Sequence, residues 1–145
     1  MSRNIEVTLD WKGPYTSTRS IPDNAGIYMA LSGKQDEKGK WPTNLYKLLD
    51  IGQAGGIKSR LDEHERRDCW ERNKTTGHTI VYKYALMPTK EYDETDRRIV
   101  ECCLRSNKTP PCGTECNEGY SRDDAVKINN EGLPKPLANS YTCKP

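Results

Sequence analysis

Two apolar runs separated by a long polar stretch constrain this chain more than any other feature. Ala25-Gly26-Ile27-Tyr28-Met29-Ala30-Leu31 and Leu45-Tyr46-Lys47-Leu48-Leu49-Asp50-Ile51-Gly52 each have the length and side chains of a core strand. The intervening residues 32–43 are rich in Lys, Gly, Asp and Glu. Short apolar runs bounded by turn residues read as strands. A polar connection between them reads as an exposed hairpin loop, which makes the pair antiparallel. Ser20-Ile21-Pro22-Asp23-Asn24 supplies turn chemistry before the first run, and Gly55-Gly56 breaks the second.

Other segments fall in place around this hairpin. Ile5-Glu6-Val7-Thr8-Leu9-Asp10-Trp11 alternates apolar and polar residues, as a short strand does, and Gly13-Pro14 ends it. Residues 57–72 carry helix formers, with Ile57 and Leu61 one turn apart. Residues 79–87 are β-branched and aromatic, a third core strand closed by Pro88. Asp93 or Thr95 caps a helix running to about residue 105, with Ile99, Val100, Cys103 and Leu104 facing inward. Beyond Lys108 the chain is rich in Pro, Gly and Asn and reads as irregular, with a short helix near residues 123–127. The order β-β-β-α-β-α predicts an α/β fold: a small, largely antiparallel three-stranded core sheet flanked by helices. A length of 145 residues predicts one domain, with its core at about 20–117 and an irregular extension over 118–145.

Only 33% of the residues are hydrophobic, so the core is modest. A mean hydropathy of −0.96 makes the surface very polar. Lys and Arg (23) nearly cancel Asp and Glu (21), leaving a formal charge of +2, so any nucleic-acid contact requires locally concentrated positive charge. There is no run of about 18 apolar residues and no apolar leader, which predicts a cytoplasmic protein without membrane association. In the cytosol the six cysteines are expected to be reduced. Their even number permits disulfides, but the adjacency of Cys102 and Cys103 and the lack of an export signal argue for thiols, with Cys69, Cys102 and Cys103 as buried small hydrophobes. Cys112-Gly113-Thr114-Glu115-Cys116 is a two-cysteine knuckle able to contribute to a structural Zn²⁺ site, with Cys102, Cys103, Cys143 and His78 available to complete it.

Several polar residues carry chemistry. Tyr28 lies on one strand of the hairpin and Asp50 on the other. Arg60 and His64, four apart, are expected one turn apart on one helix face, and Arg67, Glu71 and Lys74 extend that stripe. Lys58 adds a further positive charge to this region. Glu101 sits on the later helix between Arg97 and Arg105, and Asn117 follows Pro110-Pro111.

Taken in order, Ile21-Pro22, Gly26-Ile27-Tyr28, Ile51-Gly52, Arg60 with His64, Glu101 and Asn117 resemble the GIY-YIG nuclease superfamily, in the arrangement of its restriction-endonuclease members. The resemblance runs from Ile21 to Asn117, about two-thirds of the chain. It implies a Mg²⁺- (or Mn²⁺-) dependent DNA endonuclease in which Glu101 binds one divalent cation and Tyr28 activates the attacking water. Arg60 clamps the phosphate, His64 assists as a proton acceptor, and Asn117 orients groups beside the metal or substrate. Arg67, Lys74 and Lys58 become the expected DNA-binding positions. A small enzyme that makes two strand cuts often acts as a homodimer.

One position departs from the family pattern. Where the second tripeptide normally begins with tyrosine, this chain has Asp50. A bare carboxylate there repels phosphate unless it pairs with Arg60 or His64 or joins the metal shell. Tyr46, two pleats away on the same expected face, is too distant to replace the phenol. The departure keeps a second reading in play, a GIY-YIG-like module that holds DNA or a protein without cleaving. A zinc-stabilised interaction domain is a third.

Overall fold

The computed structural model describes residues 3–42, 46–114, 116, 124–133 and 141–143. In chain order the elements are β1 (Asn4–Asp10), β2 (Lys12–Tyr15), β3 (Gly26–Gly33), β4 (Lys47–Ala54), α1 (Ile57–Asp62), α2 (Arg67–Asn73), β5 (Thr79–Leu86), α3 (Glu94–Lys108), β6 (Ala125–Glu131) and β7 (Tyr141–Cys143). This is a small α/β fold in which strands outnumber helices.

The expected hairpin is present: β3 and β4 pair antiparallel, with Tyr28 opposite Gly52 and Ala30 opposite Asp50. β3 also pairs antiparallel with β5, so it is central and buried on both faces. The sheet has four strands in the order β2-β5-β3-β4 rather than three. The extra strand, β2, runs through Gly13-Pro14, where the sequence suggested an ending. An edge strand tolerates proline, because one side of its ladder is unpaired.

Each face of β3 feeds its own core. Ile27, Met29 and Leu31 pack with Val7 and Leu9 of β1, Val100 and Leu104 of α3, and Ile128 of β6. Tyr28 and Ala30 pack on the other side with Leu49, Ile57, Leu61, Trp70 and Tyr82. The first helix region is not the single helix expected over 57–72. It breaks at residues 63–66 into α1 and α2. The break turns His64 inward against the Trp70 ring, with centroids 4.4 Å apart. It is stitched by Arg67 Nη2, which donates to the α1 carbonyl of Leu61 at 2.6 Å. α3 begins as read: Asp93 caps it and exchanges hydrogen bonds with Asp96 in a capping box.

The C-terminal region corrects the reading of an irregular tail with a helix near 123–127. Residues 125–131 form β6, which pairs in parallel with β1, and β7 adds antiparallel to it. Val126 and Ile128 are buried while Lys127 is exposed, a period of two. The pairing with β1 joins the two ends of the chain, so no local signal announced it.

The cysteines also differ from expectation. All six are paired, as Cys69–Cys112, Cys102–Cys116 and Cys103–Cys143. Cys112 and Cys116 therefore lie in separate bridges, and the knuckle has no thiolates to offer zinc. Disulfides persist in oxidising compartments, in contrast to the reduced state inferred for a cytoplasmic protein. No helix among the described residues is long and apolar enough to cross a membrane.

Candidate functional site

The β3–β4 ladder shifts register between Ala30 and Leu31, leaving Leu49 as an extra residue on β4. A bulge of this kind re-aims side chains. Leu49 and Asp50 both serve the Tyr28 side, whereas Tyr46, beyond the bulge, packs in the opposite core beside Trp41. The face expected for Tyr46 from strand parity is thus reversed. Asp50 and Tyr28 become diagonal neighbours on one face.

Asp50 is fully buried and does not stand bare. Its Oδ2 accepts hydrogen bonds from Arg66 Nε at 2.7 Å and Trp70 Nε1 at 2.8 Å. Its Oδ1 lies 3.4 Å from Arg66 Nη2 and 3.9 Å from Arg105 Nη2. Gly113, at φ +67°, brings its backbone against this carboxylate, where a β-carbon would collide with Oδ1. A buried charge is tolerated when it is paired and hydrogen-bonded, and Asp50 meets both conditions.

Tyr28 Oη lies 2.5 Å from His64 Nε2 and 3.4 Å from Arg66 Nη2. His64 Nδ1 accepts the backbone N–H of Arg66 at 3.1 Å, which puts the imidazole hydrogen on Nε2. In that tautomer His64 donates to Tyr28; the proton-acceptor role expected from the sequence belongs to the other tautomer, for which Arg66 Nη2, 3.4 Å from Nε2, is the available donor. Burial, then the cations Arg60 and Arg66, hold the imidazole far below its ordinary range, at about 3. Burial and the Asp50 carboxylate push the Tyr28 phenol upward, against the opposing pull of Arg66 and Arg60.

Glu101 reaches this cluster from α3. Its Oε2 accepts the Gln53 N–H at 2.7 Å, and its Oε1 lies 3.3 Å from Arg105 Nη1. Arg105 thus spans Glu101 and Asp50, while its Nε donates to the Ile51 carbonyl at 2.8 Å. With Cys112 N–H donating to the Leu49 carbonyl, these contacts cover the outer edge of β4, which would otherwise be open to another strand. Burial raises the affinity of Glu101 for its proton, with Arg105 and the Gln53 amide acting in the opposite direction.

The remaining expected residues are placed less centrally. Arg60 makes a two-pronged pair with Glu65, at 2.5 and 2.6 Å, and that contact holds the Glu65 carboxyl at about 2. Lys58 pairs with Asp62 at 2.7 Å and Lys74 with Glu71 at 3.0 Å. Arg67 is spent on Leu61 and on Tyr82, so it binds the fold together rather than extending a free basic stripe. Asn117 lies outside the described residues. Sequence reasoning missed Arg66 and Trp70, and it named Arg105 beside Glu101 without its reach to Asp50. Trp70 carried a signal: a tryptophan inside a charged segment is a core anchor, and its buried N–H requires an acceptor.

Among the described residues no group of three His, Cys, Asp or Glu side chains converges as a ready-made cation cage. Asp50 has its oxygens committed to Arg66 and Trp70. Glu101 differs, because its side chain is 18% exposed and, among the described residues, Oε1 has the longer contact to Arg105 alone. A hard cation that keeps several waters needs only one or two carboxylates, and Glu101 fits it as a single-oxygen attachment. Against known proteins the chain matches no family model, no curated sequence and no solved structure.

Proposed function

We propose that this chain is a metal-assisted DNA endonuclease of the GIY-YIG type, which hydrolyses phosphodiester bonds at the Tyr28 cluster. The observation that carries the reading is the phenol oxygen of Tyr28 set between two N–H donors, His64 Nε2 and Arg66 Nη2. Such a setting suits an oxygen that takes on negative charge. Further support comes from the order β4-β3-β5, with α1 and α2 inserted before β5 and α3 following it.

In this reading Tyr28 acts as phenolate and takes a proton from the attacking water. The water oxygen bonds to phosphorus as the bond to the leaving ester oxygen breaks, and that oxygen departs as an alkoxide that takes its proton from solvent. His64 stays neutral and fixes the direction of the phenol. Arg60 meets the phosphate by exchanging its exposed Glu65 partner, a substitution that costs little at a solvated surface. A divalent cation on Glu101, Mg²⁺ or Mn²⁺, would supply Lewis-acid stabilisation of the phosphate charge. The exposed pairs of Lys58 and Lys74 exchange for backbone phosphates in the same way.

Supercoiled plasmid incubated with the protein and Mg²⁺ tests this. Cutting that disappears with chelator, and in both Tyr28→Phe and Glu101→Gln, is the expected result. Full cutting by Tyr28→Phe would sink the assignment. One observation favours the alternative of a binding module: Tyr28 is only 1% exposed. Salt-sensitive DNA binding by a wild-type protein that cuts no substrate would favour that module.

A further inference from the structure

The departure at position 50 has a counterpart in Arg66. In the resembled pattern a second phenol, a neutral hydrogen-bond donor, begins the tripeptide; here a carboxylate occupies that place. That carboxylate grips the Arg66 guanidinium through Nε at 2.7 Å and Nη2 at 3.4 Å. The same Nη2 stands 3.4 Å from Tyr28 Oη. The two charges offset one another, and Nη2 keeps a second N–H that reaches Tyr28, while Nη1 lies 3.3 Å from Glu65 Oε1. The geometry of the pair is held from several sides. Trp70 Nε1 fixes Asp50 Oδ2, Gly113 closes over Oδ1, and the backbone N–H of Arg66 binds His64 Nδ1.

We propose that Asp50 and Arg66 together replace the missing phenol, with Arg66 as the positioning residue that presents a donor to Tyr28 and supports negative charge on its oxygen. The inference rests on the nuclease reading for its catalytic meaning, but the contact it describes exists without substrate. The charged and titratable groups facing Tyr28 are Asp50 from β4, Arg60 from α1, His64 and Arg66 from the break before α2, and Glu101 from α3. Of these, only His64 and Arg66 donate to its oxygen.

The test places a fluorinated tyrosine, whose phenol ionises in a lower pH range, at position 28 of the full chain and follows its ionisation by ¹⁹F NMR. Arg66→Met should raise the midpoint by about one pH unit or more, a tenfold change in the ionisation equilibrium. That variant removes every side-chain N–H at position 66 and also deprives Asp50 of its nearest counter-ion. The double variant Asp50→Asn/Arg66→Met separates the two effects, because it removes both charges together with the guanidinium donor. A midpoint still above wild type in the double variant supports the donor role. A midpoint at or below wild type overturns it and leaves Arg66 as a mere counter-ion for Asp50. Arg66→Lys, which retains the charge, should fall between wild type and Arg66→Met. If the wild type cuts no DNA, the nuclease reading fails while the titration still decides this proposal.

Discussion

Gly52 and Tyr28 share one space: a β-carbon at position 52 would overlap the phenol oxygen and ring of the residue directly opposite it on β3. The glycine that closes the second tripeptide is therefore a clearance for the tyrosine of the first. Gly52→Ala must push aside a fully buried ring in a packed core, where overpacking costs about 1–3 kcal/mol. The expected loss, read by urea unfolding, should be clearly smaller when the alanine is introduced into Tyr28→Ala. Additive losses would show that the two residues do not compete for the space.

His64 makes stability depend on pH with a definite sign. Its folded-state value of about 3 lies below the ordinary 6.5. Between those limits the unfolded chain binds more protons, so the contribution of neutral His64 is fully present above the ordinary value and fades as pH falls toward the lower one. The loss is on the order of a few kcal/mol. Urea midpoints of the wild type should fall more steeply than those of His64→Gln across this window. Parallel curves would refute the assignment.

In the proposed nuclease, cleavage depends on pH through Tyr28 with the same sign, although its phenol is shifted upward where the His64 imidazole is shifted downward. Burial and Asp50 hold the phenol above its ordinary range, so the phenolate is scarce at neutral pH. Below its midpoint the ionised fraction increases about tenfold per pH unit. Single-turnover cutting should therefore climb with a slope near one between about pH 7 and 9. A flat profile over that range would mean that Tyr28 does not act as the base.

What the sequence disclosed, and what it hid, follows from the range of the interactions involved. Local pattern disclosed β1 and α3 through periodicity, and β3, β4 and β5 as apolar or β-branched runs bounded by turn residues. It missed β6, whose partner β1 lies at the other end of the chain, and it joined α1 to α2 across His64. Tyr28, Asp50, His64 and Glu101 were legible as chemistry-bearing residues at ordered positions. The geometry that joins them was not. A one-residue bulge at Leu49 decides which core Tyr46 enters. Arg66, which lay off the helical stripe of Arg60 and His64, reaches Asp50 only because the helix breaks. The cysteine pairing depended on long-range closure, with partners as far as 43 residues apart.

The bridge of greatest consequence for the site is Cys69–Cys112, because Gly113 follows it directly and covers Asp50. Closing a loop of this length stabilises by about 4 kcal/mol in the chain-entropy account. Cys69→Ser/Cys112→Ser should unfold at lower denaturant by a comparable amount. It should also lose hydrogen-exchange protection at the backbone amide of position 112, which donates to the Leu49 carbonyl in the wild type. Unchanged protection would mean that packing alone holds the loop.

Glu101 carries two duties that substitution can separate. As an acceptor it satisfies the Gln53 amide on the outer edge of β4; as a charge it faces Arg105 and is the proposed attachment for the cation. Glu101→Ala removes both and leaves a part-buried N–H without its partner, at a cost of about 1–3 kcal/mol. Glu101→Gln retains a carbonyl able to accept from Gln53 but has no charge for a metal. The glutamine variant should therefore retain most of the wild-type stability and the exchange protection at Gln53, while losing cleavage as fully as the alanine variant. Both should still bind DNA, since phosphate contacts dominate affinity. If Glu101→Gln cuts as well as wild type, the carboxylate is an edge-strand acceptor alone, and the cation must be sought elsewhere.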